Sequence, residues 1–121
     1  MYALPQEIEV WYILPAIRKE LAKALIKKHK MPYSKAGEIL GISKSAISQY
    51  LSDKRGSKFI IPNKLKQEIA NSAQRIAKDN KICVAEIQKI LKLIKQNKAS
   101  CELCKKYNPN IIKFCNCKRL Y

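Results

Sequence analysis

Residues 34–51, SKAGEILGISKSAISQYL, constrain the fold more than any other segment of the chain. Apolar residues recur at helical spacing on both sides of Gly41, where the chain must turn and where glycine adopts a positive φ at little steric cost. Ser34 and Ser43 are predicted helix caps, because serine accepts hydrogen bonds from the free amides of a first helical turn. Gly37 lacks a side chain and so leaves space for the two helices to approach each other closely. The segment therefore predicts two short helices joined by a tight turn.

Three further segments carry apolar residues at helical spacing: residues 15–28, 62–79 and 84–97. The first two begin with a proline, which suits a first helical position because an amide there has no acceptor. Residues 5–13 are consistent with a short helix or an apolar arm. Beyond residue 100 the periodicity ends and a Cys-rich tail begins.

The sequence thus predicts an all-α fold, a five-helix helix-turn-helix domain with a short Cys-rich metal-binding tail. We expect the DNA-binding domain to occupy residues 1–80 with its motif at 34–51, and a C-terminal helix plus the tail to occupy residues 81–121. A hydrophobic content of 47% is normal for a folded protein and argues against general disorder.

The chain is strongly basic. Lys and Arg number 25 against 9 Asp and Glu, which gives a net charge of +16. Heat-adapted proteins that are enriched in lysine are usually enriched in glutamate as well, and this chain is not, so heat adaptation does not explain its charge. A polyanionic partner explains charge that would otherwise resist compaction, and double-stranded DNA is the first candidate.

The second short helix is predicted to present one polar side. Leu40, Ile42 and Ile47 are expected to point inward, which leaves a side suited to the major groove. Gln49 suits a bidentate contact with adenine, and Lys44 suits guanine or a phosphate. The predicted DNA-binding residues are polar or basic side chains of the two helices and the loop after them: Ser34, Lys35, Ser43, Lys44, Ser45, Ser48, Gln49, Lys54, Arg55 and Lys58.

The string WYILPAIRKELAKAL leading into SKAGEILGISKSAISQYLSDKRG resembles the Cro/repressor-type (XRE) helix-turn-helix transcriptional regulators, of the small archaeal kind with a Cys-rich C-terminal tail. The resemblance covers roughly residues 8–56. One departure is Gly37, where the family usually has alanine; glycine weakens a helix by ~1 kcal/mol relative to alanine. Binders of this type read two half-sites about one helical turn apart, which implies a homodimer.

Four tail cysteines form a candidate metal site: Cys101-x2-Cys104, ten residues, then Cys115-x-Cys117. Four thiolates suit an iron-sulfur cluster or a tetrahedral zinc. The absence of the glycine usual in zinc knuckles favours iron-sulfur, and free thiols or disulfides are further alternatives. Cys83 is expected not to belong to this site, because the predicted helix over residues 84–97 would place it on the order of 20 Å from Cys101.

The predicted function is a sequence-specific DNA-binding transcriptional regulator, redox- or iron-responsive through the cluster. The chain has no pocket-forming domain for a small effector, which leaves the tail as the candidate sensor. The alternatives are a regulator with a purely structural zinc, or an RNA- or ribosome-associated basic protein, which the scattered aromatic residues disfavour. The third alternative is a helical bundle in which the Gly41 turn has no role in DNA binding, or a motif of this shape that contacts protein instead of DNA.

Catalysis and membrane insertion are not expected. Outside its cysteines the chain offers one histidine and few carboxylates, too few for an active site, so the protein is predicted not to be an enzyme and to have no small-molecule substrate. No apolar run of ~18 residues and no signal pattern occur, which predicts a cytoplasmic protein without membrane contact.

Overall fold

The computed structural model describes residues 4–96, apart from the side chain of Pro5. This part of the chain is mostly helical and contains no strand, which confirms the all-α class there. Residues 4–96 contain six α-helices: α1 (Pro5–Ile8), α2 (Leu14–Lys23), α3 (Tyr33–Leu40), α4 (Lys44–Leu51), α5 (Asn63–Lys78) and α6 (Cys83–Gln96). Two π-helical segments, Glu9–Ile13 and Ala24–Lys28, and a 3₁₀ turn, Asn80–Ile82, complete the set. Among these helices none combines the length and apolarity needed to cross a bilayer.

The first helical stretch begins well before Pro15, so the prediction that this proline starts the helix is wrong. Residues 5–28 are helical without a break. Ile8 and Ile13 are fully or almost fully buried in the core, which favours extending the helix toward the N-terminus. Proline inside a helix removes a backbone hydrogen bond and crowds the preceding turn. The wider π-helical turn, in which the Leu14 amide donates to the Glu9 carbonyl, immediately precedes Pro15.

One core joins all the longer helices. Ile17, Leu21 and Leu25 of the first helical stretch are completely buried at successive intervals of four residues, which places them on one face. Ile76 of α5 and Ile94 of α6 are buried in the same cluster. Each fully buried side chain of this size contributes about 1.5–3 kcal/mol. Helix α6 therefore shares the core of the residues before it, and a domain boundary near residue 80 stays a prediction.

A polar network fastens α5 to α6. Glu86 is 8% exposed, and its carboxylate accepts hydrogen bonds from Ser72 Oγ at 2.8 Å and Arg75 Nε at 2.8 Å. A second guanidinium nitrogen of Arg75 donates to Glu86 Oε2 at 3.0 Å. The Arg75 hydrogen bonds, helped by Ser72, lower the pKa of Glu86 although burial opposes them. A buried carboxylate held in this way keeps its charge.

Candidate nucleic-acid interface

The turn between α3 and α4 is built from backbone hydrogen bonds. Gly41 has φ +72°, the left-handed conformation predicted for it. Its amide donates to the Glu38 carbonyl at 3.4 Å, and the Ile42 amide donates to the Gly37 carbonyl at 2.9 Å. This pair of bonds is the Schellman motif, which satisfies the last carbonyls of a helix. The chain is therefore redirected within three residues, from the end of α3 to the start of α4.

One predicted helix cap is present and the other is not. Ser43 has extended backbone angles, and its Oγ accepts a hydrogen bond from the Ala46 amide at 3.0 Å, as expected for the cap of α4. Helix α3 instead begins at Tyr33, with Pro32 at the capping position and no side-chain cap. The Pro32 carbonyl accepts from the Ala36 amide at 3.0 Å. Ser34 therefore lies in the first turn, and the prediction that it caps α3 is wrong.

Gly37 permits close contact between α3 and the start of α4. A Cβ built at Gly37 would lie 2.7 Å from the Ile42 carbonyl oxygen and 3.6 Å from Ile47 Cγ1. Real Cβ atoms essentially never approach a heavy atom outside their own and adjacent residues within 3.0 Å. The predicted role of Gly37 as a spacer is confirmed.

Helix α4 is anchored by one side and exposed on the other. Ala46, Ile47 and Tyr50 are at most 5% exposed, and α4 packs against α2 and α3. The inward positions predicted for Leu40 and Ile47 are confirmed, and Ile42 is partly buried. The exposed residues are the polar ones in between: Lys44, Ser45, Ser48 and Gln49. This arrangement leaves a row of hydrogen-bonding side chains facing solvent.

The loop after α4 is docked onto α2 and carries basic side chains outward. Asp53 has φ +62°, and its Oδ1 lies 2.7 Å from Lys19 Nζ and 3.0 Å from Lys23 Nζ. Hydrogen bonds from these two lysines lower the Asp53 pKa from its ordinary 3.8 to about 2. At Gly56, φ is +80° and a Cβ would stand 2.7 Å from the Pro15 carbonyl oxygen. The loop is thus held close to the first helical stretch at two points.

All the predicted DNA-binding residues are exposed. They belong to three consecutive pieces of chain: the first turn of α3, helix α4 with its cap, and the loop that follows. Sequence reasoning missed Arg18, Trp11 and Tyr50, which line one cleft together with Lys54 and Arg55. No local pattern signals such a grouping, because it depends on how the loop lies against the first helical stretch.

The predicted metal ligands Cys101, Cys104, Cys115 and Cys117 lie outside the described residues. Within residues 4–96 no group of three or more His, Cys, Asp or Glu side chains is placed to hold a metal ion. Cys83 is a free thiol buried in the core. Burial raises the pKa of this thiol, and the charge of Arg18 opposes the rise. A buried thiol of this kind behaves as a small apolar side chain.

Comparisons with protein-family models, with curated proteins and with solved structures find no match to the chain. The resemblance of residues 8–56 to Cro/repressor-type regulators therefore stays a prediction. Function has to be inferred from the exposed polar side of α4 and the basic loop beside it.

Proposed function

We propose that the chain is a sequence-specific DNA-binding transcriptional regulator in which α3, the Gly41 turn and α4 form a helix-turn-helix and α4 enters the major groove. The observation that carries the proposal is that one side of α4 is buried against the rest of the protein and the other side is exposed to solvent. Ala46 and Ile47 fix the helix to the body, while Ser48 and Gln49 face solvent. A recognition helix needs this combination of a rigid base and a free polar side.

The dimensions and chemistry of α4 suit base reading. An α-helix with its side chains is about 10–12 Å across, which fits the roughly 12 Å width of the major groove, and the eight residues of α4 extend about 12 Å along its axis. Gln49 offers a donor and an acceptor for adenine, and Lys44 offers donors for guanine or a phosphate. Ser45 and Ser48 are short enough to let the helix backbone approach the groove floor.

The surroundings of α4 supply the contacts that position a duplex. Lys54, Arg55 and Lys58 are exposed on the loop directly after it, and Lys35 is exposed in the first turn of α3. The carboxylate of the same loop, Asp53, is already paired with two lysines, so it does little to offset these cations. Basic side chains flanking a reading helix are the usual source of phosphate contacts and of affinity.

Two further parts of the proposal concern assembly and signal. A single short helix reads few base pairs, so we include a homodimer on two half-sites. Large exposed apolar side chains are available for it at Leu4, just before the first helical stretch, at Val10 on that stretch and at Val84 on α6. The signal is assigned to a cluster or zinc on the four tail cysteines. A coloured protein after anaerobic purification supports an iron-sulfur sensor, whereas colourless protein with one equivalent of zinc supports a structural site.

Selection of bound fragments from a genomic DNA pool tests the proposal. We expect the unmodified protein to enrich a motif, and the double variant Lys44→Ala with Gln49→Ala to lose that preference while keeping non-specific, salt-sensitive binding. The matched control is Lys78→Ala with Gln74→Ala on the exposed side of α5. Unchanged selectivity in the α4 variant, or stronger enrichment of RNA than of DNA from a mixed pool, contradicts the proposal.

A further inference from the structure

A cleft of about 750 Å³ lies between the first helical stretch and the loop after α4. Trp11, Pro15 and Arg18 line one wall, and residues 53–58 line the other. The volume is within the roughly 300–1,000 Å³ typical of small-molecule sites. No pocket for a small effector was predicted from the sequence. The two walls are about 40 residues apart in the chain, and the docked loop brings them together.

The charges in this cleft are unbalanced. Its lining includes four cationic side chains, Arg18, Lys54, Arg55 and Lys58, and one carboxylate, Asp53. The Asp53 charge is directed to Lys19 and Lys23, which do not line the cleft. The cleft therefore presents several positive charges to whatever enters it, and its walls focus the resulting field toward an anion.

Arg18 has a donor for which the described residues provide no acceptor. Its Nε atom is buried, and among residues 4–96 no hydrogen-bond partner for it is present. A buried charged donor left without an acceptor is unfavourable. Arginine pairs best with planar or tetrahedral oxyanions such as carboxylate and phosphate. An oxyanion in the cleft would supply acceptors to this side chain.

Aromatic rings accompany the cations. Trp11 is 51% exposed although it belongs to a helical stretch with a buried opposite face, and it meets Tyr12 edge-on at 6.3 Å between ring centroids. Arg55 lies 5.8 Å above the Tyr50 ring, so the Tyr50 face is already covered. Trp11 is the aromatic residue of the cleft with the most exposed surface, since Tyr12 is partly buried, and exposed rings beside cations suit stacking on a nucleobase.

We propose that this cleft binds a free nucleoside di- or triphosphate, with the phosphates on Arg18 and the loop cations and the base against Trp11. Bases in a DNA duplex are already stacked, so the exposed Trp11 ring fits a free nucleotide better than a passing backbone. The proposal shares Lys54, Arg55 and Lys58 with the proposed DNA contacts. A bound nucleotide would neutralise those cations and compete with duplex phosphates, which would give the regulator a second input.

Trp11 is the one tryptophan of the chain and so reports directly on the cleft. The full chain is titrated with ATP, ADP, adenosine and pyrophosphate at constant ionic strength, with excitation at the red edge of tryptophan absorption. We expect saturable quenching by ATP and ADP, and at least about tenfold weaker binding of adenosine, because it lacks the charged acceptors. Pyrophosphate binding is followed by calorimetry, since it carries no ring.

Three cleft variants and one control separate the cleft from general surface charge. Arg18→Gln is expected to weaken ATP binding about tenfold or more, and the control Lys78→Gln, on exposed α5 surface, less than about twofold. If circular dichroism shows that Arg18→Gln does not fold, the exposed loop variant Lys58→Gln replaces it, with an expected weakening of about threefold. Trp11→Leu, measured by calorimetry, is expected to lose affinity for ATP but not for pyrophosphate.

Several outcomes overturn the proposal. These are the absence of saturable quenching, equal weakening by the cleft variant and by Lys78→Gln, and a Trp11 response to duplex DNA without one to ATP. The last result would place a backbone phosphate in the cleft. Because the nucleotide titration contains no DNA, a protein that binds ATP but selects no DNA motif contradicts only the proposed function.

Discussion

The carbonyl oxygen of Ile42 lies 2.7 Å from the point that a side-chain Cβ would occupy on Gly37. The same two residues are joined by a 2.9 Å hydrogen bond from the Ile42 amide to the Gly37 carbonyl. Alanine at this position would have to displace backbone rather than a flexible side chain. The angle at which α4 leaves α3 thus depends on a missing methyl group.

Gly37→Ala is expected to destabilise the protein by about 1–3 kcal/mol, because overpacking against backbone outweighs the ~1 kcal/mol that alanine contributes to a helix interior. Urea denaturation measures the change. Gln74→Ala, on the exposed side of α5, is the control and should be neutral or slightly stabilising. A Gly37→Ala protein as stable as the unmodified chain would show that the turn can shift without cost.

Ser43→Ala is expected to lower the free energy of unfolding by about 1 kcal/mol, since it removes the acceptor for the Ala46 amide at the start of α4. Thermal denaturation followed by circular dichroism detects a loss of this size. The neighbouring Ser45→Ala is the matched control, because Ser45 is exposed within the helix and does not cap it. Equal losses in both variants would argue against the cap.

Glu86→Gln is expected to destabilise by about 1–3 kcal/mol at neutral pH, because it weakens charge-assisted bonds from Arg75 and Ser72. The Glu86 pKa is lowered in the folded protein from its ordinary 4.5. Its stabilisation is therefore complete above that value and lost as the pH falls below it, toward the folded pKa. The difference in melting temperature between the variant and the unmodified protein should shrink in acid.

Glu38→Gln, a change of the same charge at an exposed position of α3, serves as the control for the Glu86 experiment. It should leave stability close to that of the unmodified protein at neutral pH. A Glu86→Gln deficit that stays constant from neutral pH down to pH 3 would mean that the carboxylate charge contributes nothing.

Lys58→Gln is expected to weaken binding to all duplexes alike and to reduce the slope of log affinity against log salt by about 1, the value for one phosphate contact. Fluorescence anisotropy over a range of salt concentrations measures the slope. Lys78→Gln, on α5 and away from the loop, should leave the slope unchanged. A Lys58→Gln protein with altered base preference and an unchanged slope would contradict the assignment of Lys58 to phosphates.

Local hydrogen bonding is what made the α3 to α4 segment predictable. The Gly41 turn and the Ser43 cap involve partners within five residues, so the residue types alone specify them. The exposed side of α4 follows equally from the spacing of Ala46, Ile47 and Tyr50. The start of α3 was not predictable in the same way, because Pro32 and Ser34 are both acceptable near a helix N-terminus and their local preferences do not separate them.

By itself the sequence determined the helical class, the turn at Gly41 and which residues of α4 face solvent, since each depends on neighbours along the chain. Tertiary structure alone decided that the helix runs through Pro15, that Asp53 pairs with Lys19 and Lys23, and that Arg18 and Trp11 share a cleft with the loop. These features join residues 30 or more positions apart or depend on burial in a common core. Their geometry is set by how the helices cross, which no short stretch of sequence specifies.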